Sequence, residues 1–244
     1  VHQSNLPHAL RDPYSTQWAL AGWRSLFFRP GEWRPDAARP PEWNRGAYLV
    51  QTLGHCAACH TPRNALGGSK DRSAWMGGML EGEGWYAPAL SDPAQAGLQE
   101  WAVEDIVTLL RVGVTGKAAV SGPMAEVVMR STQYLDDADA RAVAVYLQSL
   151  PLHHPGREPA AAPGAQTLQR GQALYARHCA QCHGDGGEGV AGALPALAGN
   201  RAVVLQSPVN VIRTILHGGY LPATAGNPRP HGMPPFLHVL SDEE

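Results

Sequence analysis

Apolar positions recur at helical spacing in several stretches of the chain, each bounded by residues that start or stop a helix. Val143, Tyr146, Leu147 and Leu150 fall at i, i+3, i+4 and i+7, the stripe of a helix that buries one face. Asp136 stands where its N-cap belongs, and Pro151 ends it. Pro41 to Leu53 opens with Pro and Glu, as a helix N-terminus does. Thr167 to His178 reads as a further helix. Asp105 to Gly113 and Asn210 to Gly218 are shorter amphipathic stretches, each closed by a glycine. Ser15 is the expected cap of a helix through Phe28, with Trp18, Ala21 and Leu26 turned partly inward. The pattern predicts a mainly α chain.

Two of these stretches are related. Asp105 to Gly113 aligns with Asn210 to Gly218 at an offset of 105 residues. Upstream, Pro88-Ala89-Leu90 matches Pro195-Ala196-Leu197; downstream, Pro123-Met124 matches Gly232-Met233. The chain therefore carries one module twice, over residues 41–150 and 167–244. Residues 151–166 hold four prolines and several alanines and read as a semi-rigid linker, with His153 and His154 solvated on it. Residues 1–40 form an aromatic-rich segment with Trp18, Trp23, Phe27, Phe28 and Trp33. It is expected to wrap over the first module, with a docking surface or a membrane interface as the alternatives. Leu240-Ser241-Asp242-Glu243 corresponds to Leu135-Asp136-Asp137-Ala138, and the counterpart of residues 139–150 does not follow. The expectation is that this last helix lies beyond Glu244; without it the second module lacks one packing wall.

Composition narrows the class. A length of 244 residues means one or two domains, and 44% apolar residues are enough for a core. Only 16% are charged, against roughly 25% in ordinary domains, and 27 Gly with 21 Pro mark a loop-rich protein. A net charge of −2 leaves no basic face for nucleic acid. No apolar run is long enough for a transmembrane helix. No basic-then-apolar leader opens the sequence, so a signal peptide is expected to have been removed or to lie upstream.

The four cysteines decide the chemistry. They stand as Cys56-Ala-Ala-Cys59-His60 and Cys179-Ala-Gln-Cys182-His183. C-x-x-C-H is the attachment pattern of c-type haem. Two thiols three residues apart on one turn reach both vinyl groups as thioethers, and the next His offers its imidazole to the iron. A thioredoxin-like pair would sit in a βαβ unit, which neither does. A Cys₄ zinc site would need the pairs close together, yet Cys59 and Cys179 are 120 residues apart. Disulfides would leave both histidines unexplained. Two covalently attached haem c groups are therefore expected.

Each iron then needs a sixth ligand, and Met opposite His is the usual arrangement in cytochromes c. After His183 the only methionine is Met233, fixed between Gly232 and Pro234-Pro235. After His60 the candidates are Met76, Met79, Met124 and Met129; Met124, following Gly122-Pro123, is preferred because it matches Met233 in the repeat. Met129 reads as core. His217 and His231 are reserve ligands, and His55 and His178 read as incidental. A ligating His commonly donates its second N–H to a carbonyl, which fixes its tautomer. Pro88 and Pro195 are the candidate acceptors. Gly171 and Tyr175 precede Cys179, and a glycine there lets the first helix of a cytochrome c cross the last one closely.

Trp43-Asn44-Arg45-Gly46-Ala47-Tyr48-Leu49-Val50, Gly54-His55-Cys56 through Asn64, Gly84-Trp85-Tyr86-Ala87-Pro88 and Gly122 to Val128 resemble a known family. It is the cytochrome c subunits of bacterial membrane-associated dehydrogenases, and the resemblance covers roughly residues 10–244. It implies two tandem class I cytochrome c domains, with Met124 and Met233 as axial ligands. Such subunits usually carry three haems; this chain matches the last two, and residues 1–40 look like the connector after the first. The resemblance implies a periplasmic dehydrogenase partner of quinoprotein, flavoprotein or molybdenum type. The acceptor would be ubiquinone or a terminal oxidase, with membrane association indirect. A filled His and Met pair leaves no open site, so electron transfer and not catalysis is expected. The alternatives are a free periplasmic shuttle and a dihaem enzyme of peroxidase or thiosulfate dehydrogenase type.

Overall fold

The computed structural model describes residues 7–80, 82–153 and 162–241. Among them the chain is mainly α and loop-rich, as the hydrophobic pattern predicts, with two short antiparallel ribbons. The first module holds α2 (Pro41–Tyr48), α3 (Ala57–His60), β1 (Gly78–Leu80), β2 (Trp85–Ala87), α4 (Val103–Val112), α5 (Gly122–Arg130) and α6 (Asp137–Gln148). The second holds α7 (Ala165–His178), α8 (Ala180–His183), α9 (Val209–His217), β3 (Gly219–Tyr220) and β4 (Gly232–Met233). No helix among the described residues is long and apolar enough to cross a membrane.

The first module is built on the crossing of α2 and α6. At the crossing point stands Gly46, where a Cβ would lie 1.9 Å from the Ala142 carbonyl oxygen. Only glycine permits this approach. Around it, Trp43 Nε1 donates to Ser149 Oγ (2.6 Å) and packs edge-on against Tyr146. Arg45 donates to both carboxylate oxygens of Asp139, each at 2.7 Å. Asp136 caps α6 as expected, its side chain accepting from the Asp139 N–H. Val50, Ile106, Ala144 and Tyr146 lie in the core that this crossing closes.

The helix expected over residues 41–53 is continuous but changes winding. Leu49–Leu53 form a π-helical turn, with the Gly54 N–H bonded to the Leu49 carbonyl at 2.7 Å. Such widened turns cluster at functional sites. Here the turn accommodates the longer spacing of ten residues from Gly46 to Cys56, where Gly171 to Cys179 spans eight.

The second module differs in its packing. Every buried hydrophobic residue among those described lies between Ala47 and Leu150. α7 begins at Ala165, two residues before the expected Thr167, and buries none of its residues. A Cβ on Gly171 would meet nothing within 4 Å. Thus the glycine expected to mark a helix crossing has no neighbour among the described residues.

Two expectations for the N-terminal segment fail. α1 (Gln17–Phe27) follows Thr16 as its N-cap, not Ser15, because Ser15 is still in the preceding turn. Trp18 and Leu26 are about 70% exposed and Ala21 is exposed as well. The inward residue is Phe27, whose ring covers Gly68, while the Trp23 Nε1 donates to the Leu66 carbonyl (2.8 Å). The segment is thereby pinned to the 64–68 loop of the first module, with Trp18, Leu20 and Leu26 facing solvent. In the linker, the His153 N–H donates to the Ser91 carbonyl (2.9 Å) and the residue is exposed; His154 lies outside the described residues, as do Asp242 and Glu243.

The modules touch directly. The Arg201 N–H donates to the Lys117 carbonyl (2.8 Å) and its guanidinium to the Pro93 carbonyl (2.9 Å). Gln133 Nε2 reaches the Ala223 carbonyl at 3.3 Å. Pro222 fills the space above Gly113.

Candidate cofactor sites

Each C-x-x-C-H segment forms one short helical turn. The His60 N–H donates to the Cys56 carbonyl (3.0 Å) and the His183 N–H to the Cys179 carbonyl (2.9 Å). This turn brings both thiols and the imidazole of each motif together. The four thiols are unpaired, Cys56 and Cys179 half-buried, Cys59 and Cys182 exposed. Burial pushes the Cys56 thiol up to about 11 and raises that of Cys179. A thioredoxin-like redox cysteine has a lowered pKa, the opposite of this shift. The two pairs do not converge into a shared metal cluster among the described residues.

The proline expectation holds in both modules. His60 Nδ1 lies 2.8 Å from the Pro88 carbonyl oxygen, and His183 Nδ1 lies 3.1 Å from that of Pro195. A carbonyl only accepts, so each Nδ1 carries the proton and each Nε2 presents its lone pair. Burial lowers the His60 pKa and favours the neutral ring, against the bond to Pro88, which raises it. A neutral imidazole with its tautomer fixed this way is a ready iron ligand.

Two glycines that nothing in the sequence marks complete this cradle. The Gly77 N–H donates to the His60 carbonyl (2.9 Å), and the Gly189 N–H to the His183 carbonyl (2.8 Å). Both glycines have φ near +69°. A Cβ on Gly77 would lie 2.5 Å from the Ala87 carbonyl, and one on Gly189 2.5 Å from the Leu194 carbonyl. Each therefore lies against the backbone that presents the prolyl carbonyl. Two residues earlier the modules again coincide: Trp75 (φ 66°) accepts from the Leu90 N–H, and Gly187 (φ 76°) from the Leu197 N–H. Trp75 adopts a left-handed conformation that disfavours a bulky residue, and burial of its indole in the core offsets the strain. The two glycines stand 17 and 6 residues after their histidines, so no fixed spacing betrays them.

The methionines occupy different settings. Met124 is the third residue of α5 and is half-buried between the main core and the Val120, Ala125 and Val128 cluster. Met129 is half-buried on the same helix. Met76 accepts from Ser91 Oγ (3.4 Å), which engages its sulfur, and Met79 is 45% exposed on β1. Met233 sits on β4, registered opposite Gly219 and followed by two prolines. The repeat thus places one candidate on a helix and the other on a strand. His55, His217 and His231 are exposed, and the His178 ring packs edge-on against Phe236. Tyr175, noted ahead of Cys179, donates its hydroxyl to the Gly184 carbonyl (2.6 Å) just past the motif.

The donor set fits a covalently held haem: paired thiols on one turn, a neutral imidazole with Nε2 available, and a thioether further along each module. Comparison with known proteins agrees. A family model described as Cytochrome c matches residues 44–151 and 168–244. The cytochrome c subunit of a quinone-type alcohol dehydrogenase from Gluconacetobacter polyoxogenes is 37% identical, over 95% of this chain and 53% of its own length. The cytochrome subunit of a fructose dehydrogenase from Gluconobacter japonicus is 34% identical, over 84% of this chain and 47% of its own length. A diheme cytochrome c-type protein of Cereibacter sphaeroides is 40% identical, over 59% of this chain and 47% of its own length. The chain spans about half the length of these curated relatives.

Proposed function

This chain belongs to the cytochrome c family, whose haem c is covalently bound, and we propose that it is an electron-transfer protein carrying two haems. Cys56 and Cys59 would hold the first through thioethers, with His60 and Met124 as its iron ligands. Cys179, Cys182, His183 and Met233 would do the same for the second. The observation that carries this reading is the duplicated cradle: in both modules the C-x-x-C-H imidazole is locked onto a prolyl carbonyl. Bound haem supplies a one-electron Fe(III)/Fe(II) couple. The protein's part is to hold and tune it. Pro88 and Pro195 orient the imidazoles; the thioethers would anchor the haem, and the two methionine sulfurs would keep substrate from the iron.

We further propose that the electrons come from a dehydrogenase subunit and pass to ubiquinone or a terminal oxidase, in the periplasm. The names of the similar proteins support the donor, and covalent haem attachment supports the compartment.

The first test is the intact mass of the denatured protein, because thioether-bound haem survives denaturation. The expected mass exceeds that of the polypeptide by two haems; a mass without added haem overturns the reading. The oxidised spectrum then tests the sixth ligands. A methionine-to-Fe(III) charge-transfer band that is lost stepwise in Met124→Ala and Met233→Ala supports both assignments. Carbon monoxide binding to the reduced native protein would instead open an axial position and favour a peroxidase-type enzyme.

A further inference from the structure

The peptide unit joining Pro88 to Ala89 is held at both ends. Its carbonyl receives the His60 Nδ1–H. Its N–H donates to Gln95 Oε1 at 2.8 Å. Gln95 is 2% exposed, and the same oxygen accepts from the Tyr86 hydroxyl at 3.0 Å. Tyr86 is in turn gripped from the other module. Its backbone N–H donates to Asn210 Oδ1 (2.8 Å), and its carbonyl accepts from Asn210 Nδ2 (2.7 Å). One turn further along α9, the Arg213 guanidinium stacks over the Trp85 ring at 5.2 Å.

Among the described residues this chain of bonds has no symmetric counterpart. At the repeat offset of 105 residues, Asn210 corresponds to Asp105. Asp105 pairs with Lys117 of its own module (2.7 Å). Asn210 therefore serves the contact between modules and not the module fold itself.

We propose that Asn210 of the second module is a positioning residue for the first module's haem, acting through Tyr86 and Gln95 on the carbonyl that receives the His60 proton. The inference rests on His60 being an iron ligand. A bidentate amide fixes the strand that carries Tyr86, and the Tyr86 hydroxyl and Gln95 then hold the Pro88–Ala89 peptide plane. A peptide whose N–H is already bonded offers a more strongly polarised carbonyl. That strengthens the bond from His60, gives the imidazole more anionic character, and stabilises Fe(III). Cutting the clamp raises the midpoint potential of the first haem and leaves the second unchanged.

The test compares the native two-haem protein with Asn210→Ala, Asn210→Asp and the control Gln133→Ala. Nuclear magnetic resonance of the oxidised protein reads the hyperfine-shifted Nδ1–H of His60 and His183, and a redox titration reads both potentials. In Asn210→Ala the His60 proton is expected to shift and to exchange with solvent about tenfold faster, the upper end of what losing one hydrogen bond does to an equilibrium. The first haem's potential rises and His183 does not move. Asn210→Asp keeps the acceptor and loses the donor, so its effect lies between; it decides alone if Asn210→Ala does not fold. Gln133→Ala cuts a different contact between the modules and changes neither histidine.

An unmoved His60 proton in the Asn210 variants overturns the proposal. So does a common shift of both histidines, or the same shift in Gln133→Ala, since either means general loosening. A native protein with no hyperfine-shifted proton at His60 fails earlier, on the ligand assignment itself.

Discussion

Single residues carry unequal weight in this molecule, and three glycines show how. Gly46 lies where a Cβ would overlap the Ala142 carbonyl, while Gly171, at the related place in α7, faces nothing within 4 Å. In the 244-residue chain, Gly46→Ala is expected to cost about 3 kcal/mol through overpacking. Gly171→Ala is expected to add about 1 kcal/mol, the helix-propensity gain. Urea unfolding of the two variants checks the opposite signs. Gly77→Ala combines a left-handed backbone with a 2.5 Å approach to the Ala87 carbonyl. It should cost at least about 2 kcal/mol and lower haem incorporation in the first module, read by the haem-to-protein absorbance ratio. The cysteines, histidines and both prolyl acceptors were legible in the sequence because each is fixed by adjacency or by the repeat. Gly77 and Gly189 were not, because loops of different length separate them from their histidines.

At the scale of elements, α6 follows from its sequence almost completely. Its stripe and its Asp136 cap are local signals; it ends at Gln148, three residues before the expected stop at Pro151. Removing the cap in Asp136→Ala should lower stability by about 1 kcal/mol in urea unfolding. The Arg45–Asp139 pair between α2 and α6 adds a pH dependence. The hydrogen bond from Arg45, and then its charge, hold the Asp139 carboxyl below its ordinary 3.8. A lowered carboxylate pKa stabilises the fold above the ordinary value, and the gain is lost as pH falls through the lowered one. The stability difference between the native protein and Asp139→Asn is therefore expected to be full at neutral pH and to shrink below pH 3.8, as followed by thermal melts across an acid series. α1 was legible only in outline. Its apolar residues are distributed around the helix, so periodicity gives no inward face. The actual contact is made by Phe27 and Trp23 on a loop some forty residues away in sequence.

Across the whole molecule, order is distributed unevenly. The buried hydrophobic residues among those described belong to the first module, and α7 buries none. Amides that open with few apolar contacts exchange first. Hydrogen–deuterium exchange should therefore label α7 well before α2 and α6, and uniform protection of the three helices would contradict the packing described here. The duplication was legible from the aligned helices and motifs. The contact between modules was not, since Asn210 and Tyr86 are 124 residues apart and no repeat or period connects them.

That contact also bears on kinetics. Backbone and side-chain bonds, from Arg201 to Lys117 and from Asn210 to Tyr86, join the modules on two sides. With the two haems proposed above, carriers joined in this way would not have to meet by diffusion. An electron crossing between them would tunnel within one molecule, so its rate would be unimolecular and would not fall as solvent viscosity rises.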